Sequence, residues 1–187
     1  MTRNFLPRPV PEAELVNLLD LARRAPSAGF SQGVHFLLLT GEELARFWVT
    51  SGGAEWYGAG PHRMLDAPAL VIPLADPTAY TKRYSEADKI EHGLDKADQW
   101  VVPFWITDAA MAVQNLLLLA EERGLGALYF GFGGTVDAAL AEVGVPAHVL
   151  QVGGVLLGYR APDDAPSGSA VTRPRRQVSD VVHRGDW

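Results

Sequence analysis

Residues 108–131 read DAAMAVQNLLLLAEERGLGALYFG, and their patterning decides what the rest of the chain can fold against. Ala112, Leu116 and Ala120 recur at helical spacing, and Val113, Leu117 and Leu118 widen the stripe until much of the circumference is apolar. With Asp108 in a first turn and Gly124 as a stop, the spacing predicts a helix over 107–123. A helix this apolar is buried, either at the centre of the molecule or against a second subunit. The run 127–132 that follows reads as a strand.

Working outward, 12–24 reads as a helix with Leu15, Leu18, Leu19 and Ala22 on one face and Glu12 and Glu14 at its positive end. Pro26 biases Ala25 away from helical angles, so the helix stops there. HFLLLT at 35–40 reads as a buried strand, with a helix over 42–49 behind it. The glycine-rich 51–63 reads as loop. ALVIPLA at 69–75 reads as a central strand, in which Pro73 has to sit near the end or at an edge. The polar, weakly periodic 78–99 reads as a mobile, lid-like insertion. A helix over 136–142 and a strand over 149–159 complete the alternation, then a linker, DDAPSGS, at 163–169 and an extended tail to 187 that must dock somewhere. No internal repeat is visible. The pattern is one α+β domain over 1–187, a sheet flanked by helices.

Composition removes whole classes of function. The chain has 187 residues and a net charge of −6, which argues against nucleic acid as a partner. It has no cysteine, so disulfides, thiolate nucleophiles and sulfur-ligated metals are excluded. MTRNFLPRPVP lacks the apolar stretch of a signal peptide, and apolar runs such as 116–120 are far too short for a bilayer. A cytoplasmic protein with no membrane partner is expected. The run Gly131-Phe132-Gly133-Gly134-Thr135 has its third glycine misplaced for a dinucleotide fingerprint. No Walker sequence and no nucleophile elbow occurs. The histidines at 35, 62, 92, 148 and 183 are scattered, so no metal site is expected.

Arginine usage carries more. Of sixteen basic residues only three are lysine, and Arg173, Arg175, Arg176 and Arg184 crowd the tail of an acidic chain. An arginine fork suits bidentate recognition of phosphate or of a conjugated carbonyl system. RRAPSAGFSQG at 23–33 ends a helix and also offers a short polar turn. Tyr80, Tyr84, Trp100 and Trp105 could form a substrate-stacking wall, although aromatics at such spacing more commonly build core.

Taken together, RNFLPRPVP with RRAPSAGFSQG, RMLDAPALVIPLAD, DAAMAVQNLLLLAEERGLGALYFG and RPRRQVSDVVHRGDW resemble, in order, the FMN-dependent nitroreductase family. The resemblance implies a three-layer fold with a central, mainly antiparallel sheet and an intertwined homodimer with two FMN sites at the subunit interface. It implies NADH or NADPH as electron donor and ping-pong transfer to an electron-poor acceptor. The family also leaves open a non-catalytic flavin-binding protein, or an offshoot that fragments flavin or dehalogenates. It places Arg3, Arg173 and Arg175 at the phosphate and Arg63 by the flavin N1 and C2 carbonyl. Pro26, Ser27, Ala28 and Gln32 fall along the ring or ribityl chain. Gly131 and Phe132 fall where backbone N–H groups reach N5 and O4. Trp100 and Trp105 are candidate substrate residues, and the tail is expected on the flavin site or the partner subunit. Phe30 stands where the family has asparagine, Gly33-Val34 where it has Pro-Trp, and only two residues precede Arg3. Each missing charge-assisted hydrogen bond is expected to weaken FMN binding by about 1–3 kcal/mol.

Overall fold

The computed structural model describes every residue except Gly134, Thr135, Ser167 and Asp186. The last two residues of the 131–135 glycine run and one residue of the 163–169 linker therefore lie outside the described residues. A two-residue strand, β1 (Phe5–Leu6), precedes helix α1 (Glu12–Ala22). β2 (Val34–Thr40) runs directly into α2 (Gly41–Thr50), with α3 (Gly53–Gly58) after it. β3 (Ala69–Ala75) is followed by α4 (Pro77–Tyr84), and α5 (Phe104–Glu122) by β4 (Gly126–Phe130). Next come α6 (Val136–Glu142), β5 (Leu150–Gln151), β6 (Gly154–Arg160) and a single turn, α7 (Ser169–Thr172), in the tail.

All strand pairings among the described residues are antiparallel. β3 lies at the centre, paired along its whole length with β2 and on its other edge with β6 and then β5. β6 carries β4 on its far edge and meets β1 at Tyr159 and Arg160. Side chains alternate across a strand, and here the alternation builds two cores. Ala69 and Val71 of β3, with Val155 and Leu157 of β6, pack under α1 and α5 against Leu15, Leu18, Val113, Leu116 and Ala120. Leu70, Ile72, Leu74 and Leu156 face the other way, against Leu44, Phe47 and Trp48 of α2 and Ala139 and Leu140 of α6. The result is the expected three layers, helix on sheet on helix.

Several elements differ from the sequence expectation. The 51–63 segment holds a helix, α3, because Trp48, Tyr57 and Phe130 interlock and draw it onto the sheet. The 78–99 region opens with α4, and Tyr80 is fully buried in a third cluster with Trp100, Trp105 and Ala109. The strand expected over 149–159 is two pieces, since three residues, 152–154, face two, 72–73, between the paired positions Val71↔Val155 and Leu74↔Gln151. That is a bulge, and Gly153 takes φ 106° within it. Pro73 accordingly sits inside a central strand, not at its end or edge. Its carbonyl accepts from the Val152 N–H at 3.0 Å, so its missing donor faces the bulge, where no ladder partner is required. The described residues of 165–187 are all exposed, so the tail does not dock on its own chain.

Asp76 caps α4, its Oδ1 accepting from the Thr78 N–H at 2.8 Å and from the Thr78 hydroxyl at 2.6 Å. Burial pushes this carboxyl up, but the Thr78 hydrogen bonds, with His148 and His35 nearby, outweigh burial and hold it below its ordinary value. Its folded pKa is below the unfolded one, so the stabilisation is present above about pH 4 and is lost as pH falls through the folded value. Asp76→Ala is expected to cost about 1 kcal/mol near neutrality. Urea midpoints should show that deficit shrinking on acidification; a deficit that stays constant down to about pH 3 contradicts the linkage.

Candidate functional site

The loop closing α1 is strained and heavily tied. Gly29, Phe30 and Gln32 have φ of 60°, 58° and 54°. Glycine adopts such angles freely, whereas the other two cost on the order of 1–3 kcal/mol each and persist only where the surroundings over-determine them. Here they do. Ser27 accepts from the Phe30 N–H through its carbonyl at 2.9 Å and from the Gln32 N–H through its hydroxyl at 3.1 Å. The Ser31 hydroxyl donates to the Ala28 carbonyl at 2.6 Å, and Arg83 Nε donates to the Gly29 carbonyl at 2.9 Å. A Cβ on Gly29 would lie 2.8 Å from the Tyr84 ring.

Beneath the loop sits Asp108 of α5, only 1% exposed. Its Oδ2 accepts from the Ala28 N–H at 2.9 Å and from the Tyr80 hydroxyl at 2.8 Å. Burial, with Asp108 alongside, pushes the Tyr80 hydroxyl far up, so it remains a donor. Ser27 and Gln32 thereby open onto a hollow of about 380 Å³, which Arg23, Arg24, Phe30 and His35 also line. Phe30 is 74% exposed, so no packing within the chain accounts for its strained backbone. A larger apolar hollow of about 510 Å³, lined by Val10, Leu44 and Trp48, holds none of the expected site residues.

The strand register sorts the remaining candidates. Val34 of β2, Ala75 of β3, Phe130 of β4 and Gly154 of β6 share one end of the sheet. Pro26, Ser27, Ala28, Gln32, Gly131 and Phe132 therefore lie at that end. A Cβ added to Gly131 or Gly133 would meet nothing within 4 Å, and neither residue takes a positive φ. Among the described residues nothing in packing or backbone demands glycine there, so the strip beside the strand end leaves room for a flat group to lie close.

Arg3 and Arg63 lie at the opposite end, about 20 Å away along a seven-residue strand. The Arg3 and Asn4 N–H groups donate to Asp164 Oδ1 at 3.0 and 2.9 Å. The Arg63 guanidinium pairs with both oxygens of Asp163, at 3.0 and 2.5 Å, and lies 3.8 Å from Asp66. Arg63 holds the Asp163 carboxyl below its ordinary value, but the pair is exposed and contributes little to stability. Arg173 and Arg175 stand on the exposed tail, their guanidinium groups without a hydrogen bond or ion pair among the described residues. Trp100 and Trp105, each 8% exposed, are packed with Tyr80, and the Trp100 indole donates to the Leu94 carbonyl at 2.9 Å. The loop and the β4 end thus share one end of the sheet, whereas Arg3 and Arg63 lie at the other.

Sequence reasoning missed Asp108 as the anchor of the loop. The signal was there: Asp108, Ala112, Leu116 and Ala120 share one stripe, and a carboxylate heading a buried stripe must find donors. Tyr57 and Arg83, which hold backbone carbonyls of the same two segments, had no such signal. Among the described residues no cluster of histidine, aspartate or glutamate could hold a metal ion, and no helix is long and apolar enough to cross a membrane.

A three-layer α+β fold with this antiparallel order, an anchored loop after α1 and an open glycine strip after β4 defines a class. The nitroreductase family profile matches residues 1–159, and the chain belongs to the nitroreductase family. It is 27% identical over 186 residues to the oxygen-insensitive NADPH nitroreductase of Salmonella typhimurium, covering 99% of this chain and 70% of that one. It is 23% identical over 190 residues to the FMN reductase (NADPH) of Bacillus subtilis, again with 99% and 70% covered. Among solved structures, the nitroreductase family protein from Streptococcus pneumoniae superposes with a TM-score of 0.72 at 18% identity, covering 98% of this chain and 94% of that one.

Proposed function

We propose that this protein is an FMN-dependent NAD(P)H oxidoreductase that works by ping-pong, with NADH or NADPH giving way to an electron-poor acceptor such as a nitroaromatic, quinone or enone. The observation that carries the reading is the open strip at Gly131 and Gly133, where an added Cβ would meet nothing within 4 Å among the described residues. The guanidinium groups of Arg173 and Arg175, unpaired among the described residues, fit the phosphate end of the same cofactor, as two forks suit a dianion. FMN, when bound, supplies hydride acceptance and electron delivery. The chain's own residues hold and tune it: Arg3, Arg173 and Arg175 take the phosphate, and Ser27, Ala28 and Gln32 line its ring or ribityl chain. The Gly131 and Phe132 backbone meets the ring edge. Arg63, turned from Asp163 toward the N1 and C2 carbonyl, raises the reduction potential.

The reading is of a homodimer. Candidate residues at two ends of one sheet can join a single site if each subunit supplies one end. Helix α5 supports this, since it leaves Met111 and Leu118 exposed, the latter by 61%, and Val16 of α1 is exposed as well. The exposed tail then docks on the partner, and 78–99, tied to the loop through Arg83 and Gly29, borders the acceptor's entrance. The test is the absorption spectrum of the purified protein, with FMN added if needed. A flavin band near ~450 nm, bleached by NADH or NADPH and restored by a quinone, is expected. Protein that shows no such band even with FMN present sinks the reading.

A further inference from the structure

Tyr57 holds one peptide at the end of β4 in a fixed attitude. Its hydroxyl donates to the Gly131 carbonyl at 2.8 Å. Its ring stands edge-on to Trp48 and Phe130, with centroids 5.7 and 5.1 Å away. In the same aromatic cluster, the Phe132 ring is wedged against Phe47 and Phe130, at 6.2 and 4.9 Å. Phe130 itself is pinned by pairing with Gly154. The Gly131–Phe132 peptide is thus clamped through its carbonyl, its following side chain and its preceding strand.

A trans peptide is planar, with its C=O and N–H pointing in opposite directions. With the carbonyl turned to Tyr57, the Phe132 N–H points away from it, and no acceptor among the described residues engages that N–H. The strip next to it is the one left open at Gly131. Burial pushes the Tyr57 hydroxyl up, so it stays protonated and keeps donating throughout the neutral range.

We propose that Tyr57 is a positioning residue: by gripping the Gly131 carbonyl it presents the Phe132 N–H as a pre-aimed donor to a ring carbonyl or imine nitrogen of a flat heteroaromatic ligand. The inference rests on the flavin reading above and names how this chain orients its ring. Aiming the donor before binding avoids an ordering cost when the ligand arrives. A tyrosine that served only to join α3 to β4 would leave ring recognition untouched.

Tyr57→Phe removes the hydroxyl and keeps the ring in its aromatic setting. In the flavin-free protein, the residual dipolar coupling of the Phe132 N–H should change while thermal melting confirms that the fold is kept. Titrations with FMN and with riboflavin, which lacks the phosphate, should both weaken by the same factor. That factor is about fivefold, the equivalent of one neutral hydrogen bond. An unchanged coupling, unchanged affinity for both flavins, or a loss confined to FMN would each overturn the assignment. Wild-type protein that binds neither flavin would instead defeat the flavin reading and take the ring-donor role with it. Wild-type binding with an indifferent Tyr57→Phe defeats this inference alone.

Discussion

Replacing Asp108 by alanine is expected to destabilise the protein by about 3–5 kcal/mol, because two buried donors lose their acceptor together. The Ala28 N–H and the Tyr80 hydroxyl both end on Asp108 Oδ2, in a position with almost no access to water. Neither donor has another acceptor among the described residues, and an unsatisfied buried polar group costs its full desolvation. The loss should be visible as a lower urea midpoint with an unchanged slope. Asp108→Asn, which keeps one carbonyl oxygen in place, should lose less. The substitution also frees the loop, so Phe30 and Gln32 can relax from the left-handed region and Ser27 loses its orientation. A Asp108→Ala protein within about 1 kcal/mol of wild type would show that the loop is held by its other ties.

Replacing Arg173 and Arg175 together by alanine is expected to weaken FMN binding by about 100- to 1,000-fold, since each lost charge-assisted contact to a dianion is worth about 1.5–2 kcal/mol. The fold should be indifferent, because both side chains are exposed and unpaired among the described residues. Riboflavin is the control: with no phosphate it should bind the double variant nearly as well as wild type. Fluorescence titration of both ligands separates the cases. Equal losses would move the tail arginines from the phosphate to the ring, and no loss for either ligand would remove them from the site.

The sequence made the layers legible, because the unbroken apolar run over 69–75 and the apolar stripe over 107–123 are strong local signals. Both correspond to real elements, the helix beginning three residues earlier at Phe104. α3 was hidden because glycines flank it and its stability comes from packing on Trp48 and on Phe130, the latter distant in sequence from Tyr57. Tyr80, Trp100 and Trp105 were visible as a group of aromatics, and their burial together follows the core reading of them over the substrate-wall one. Of the candidate site, the loop at 26–32 and the strip at 131–132 were singled out through the family resemblance. Their shared end of the sheet was not, since it depends on strand register. Nor was the distance separating them from Arg3 and Arg63.

Pro73 and the bulge opposite it also guard the chain against mispairing. Sliding β3 by one residue against β5 and β6 would swap the two cores, sending Leu70, Ile72 and Leu74 to the α1–α5 face. Such a shift would also carry the proline's missing N–H opposite a strand carbonyl that needs a donor, while the extra residue at Gly153 would have nothing to bend around. A residue that weakens a strand in isolation here penalises every alignment but one, so the centre of the sheet has a single productive way to close.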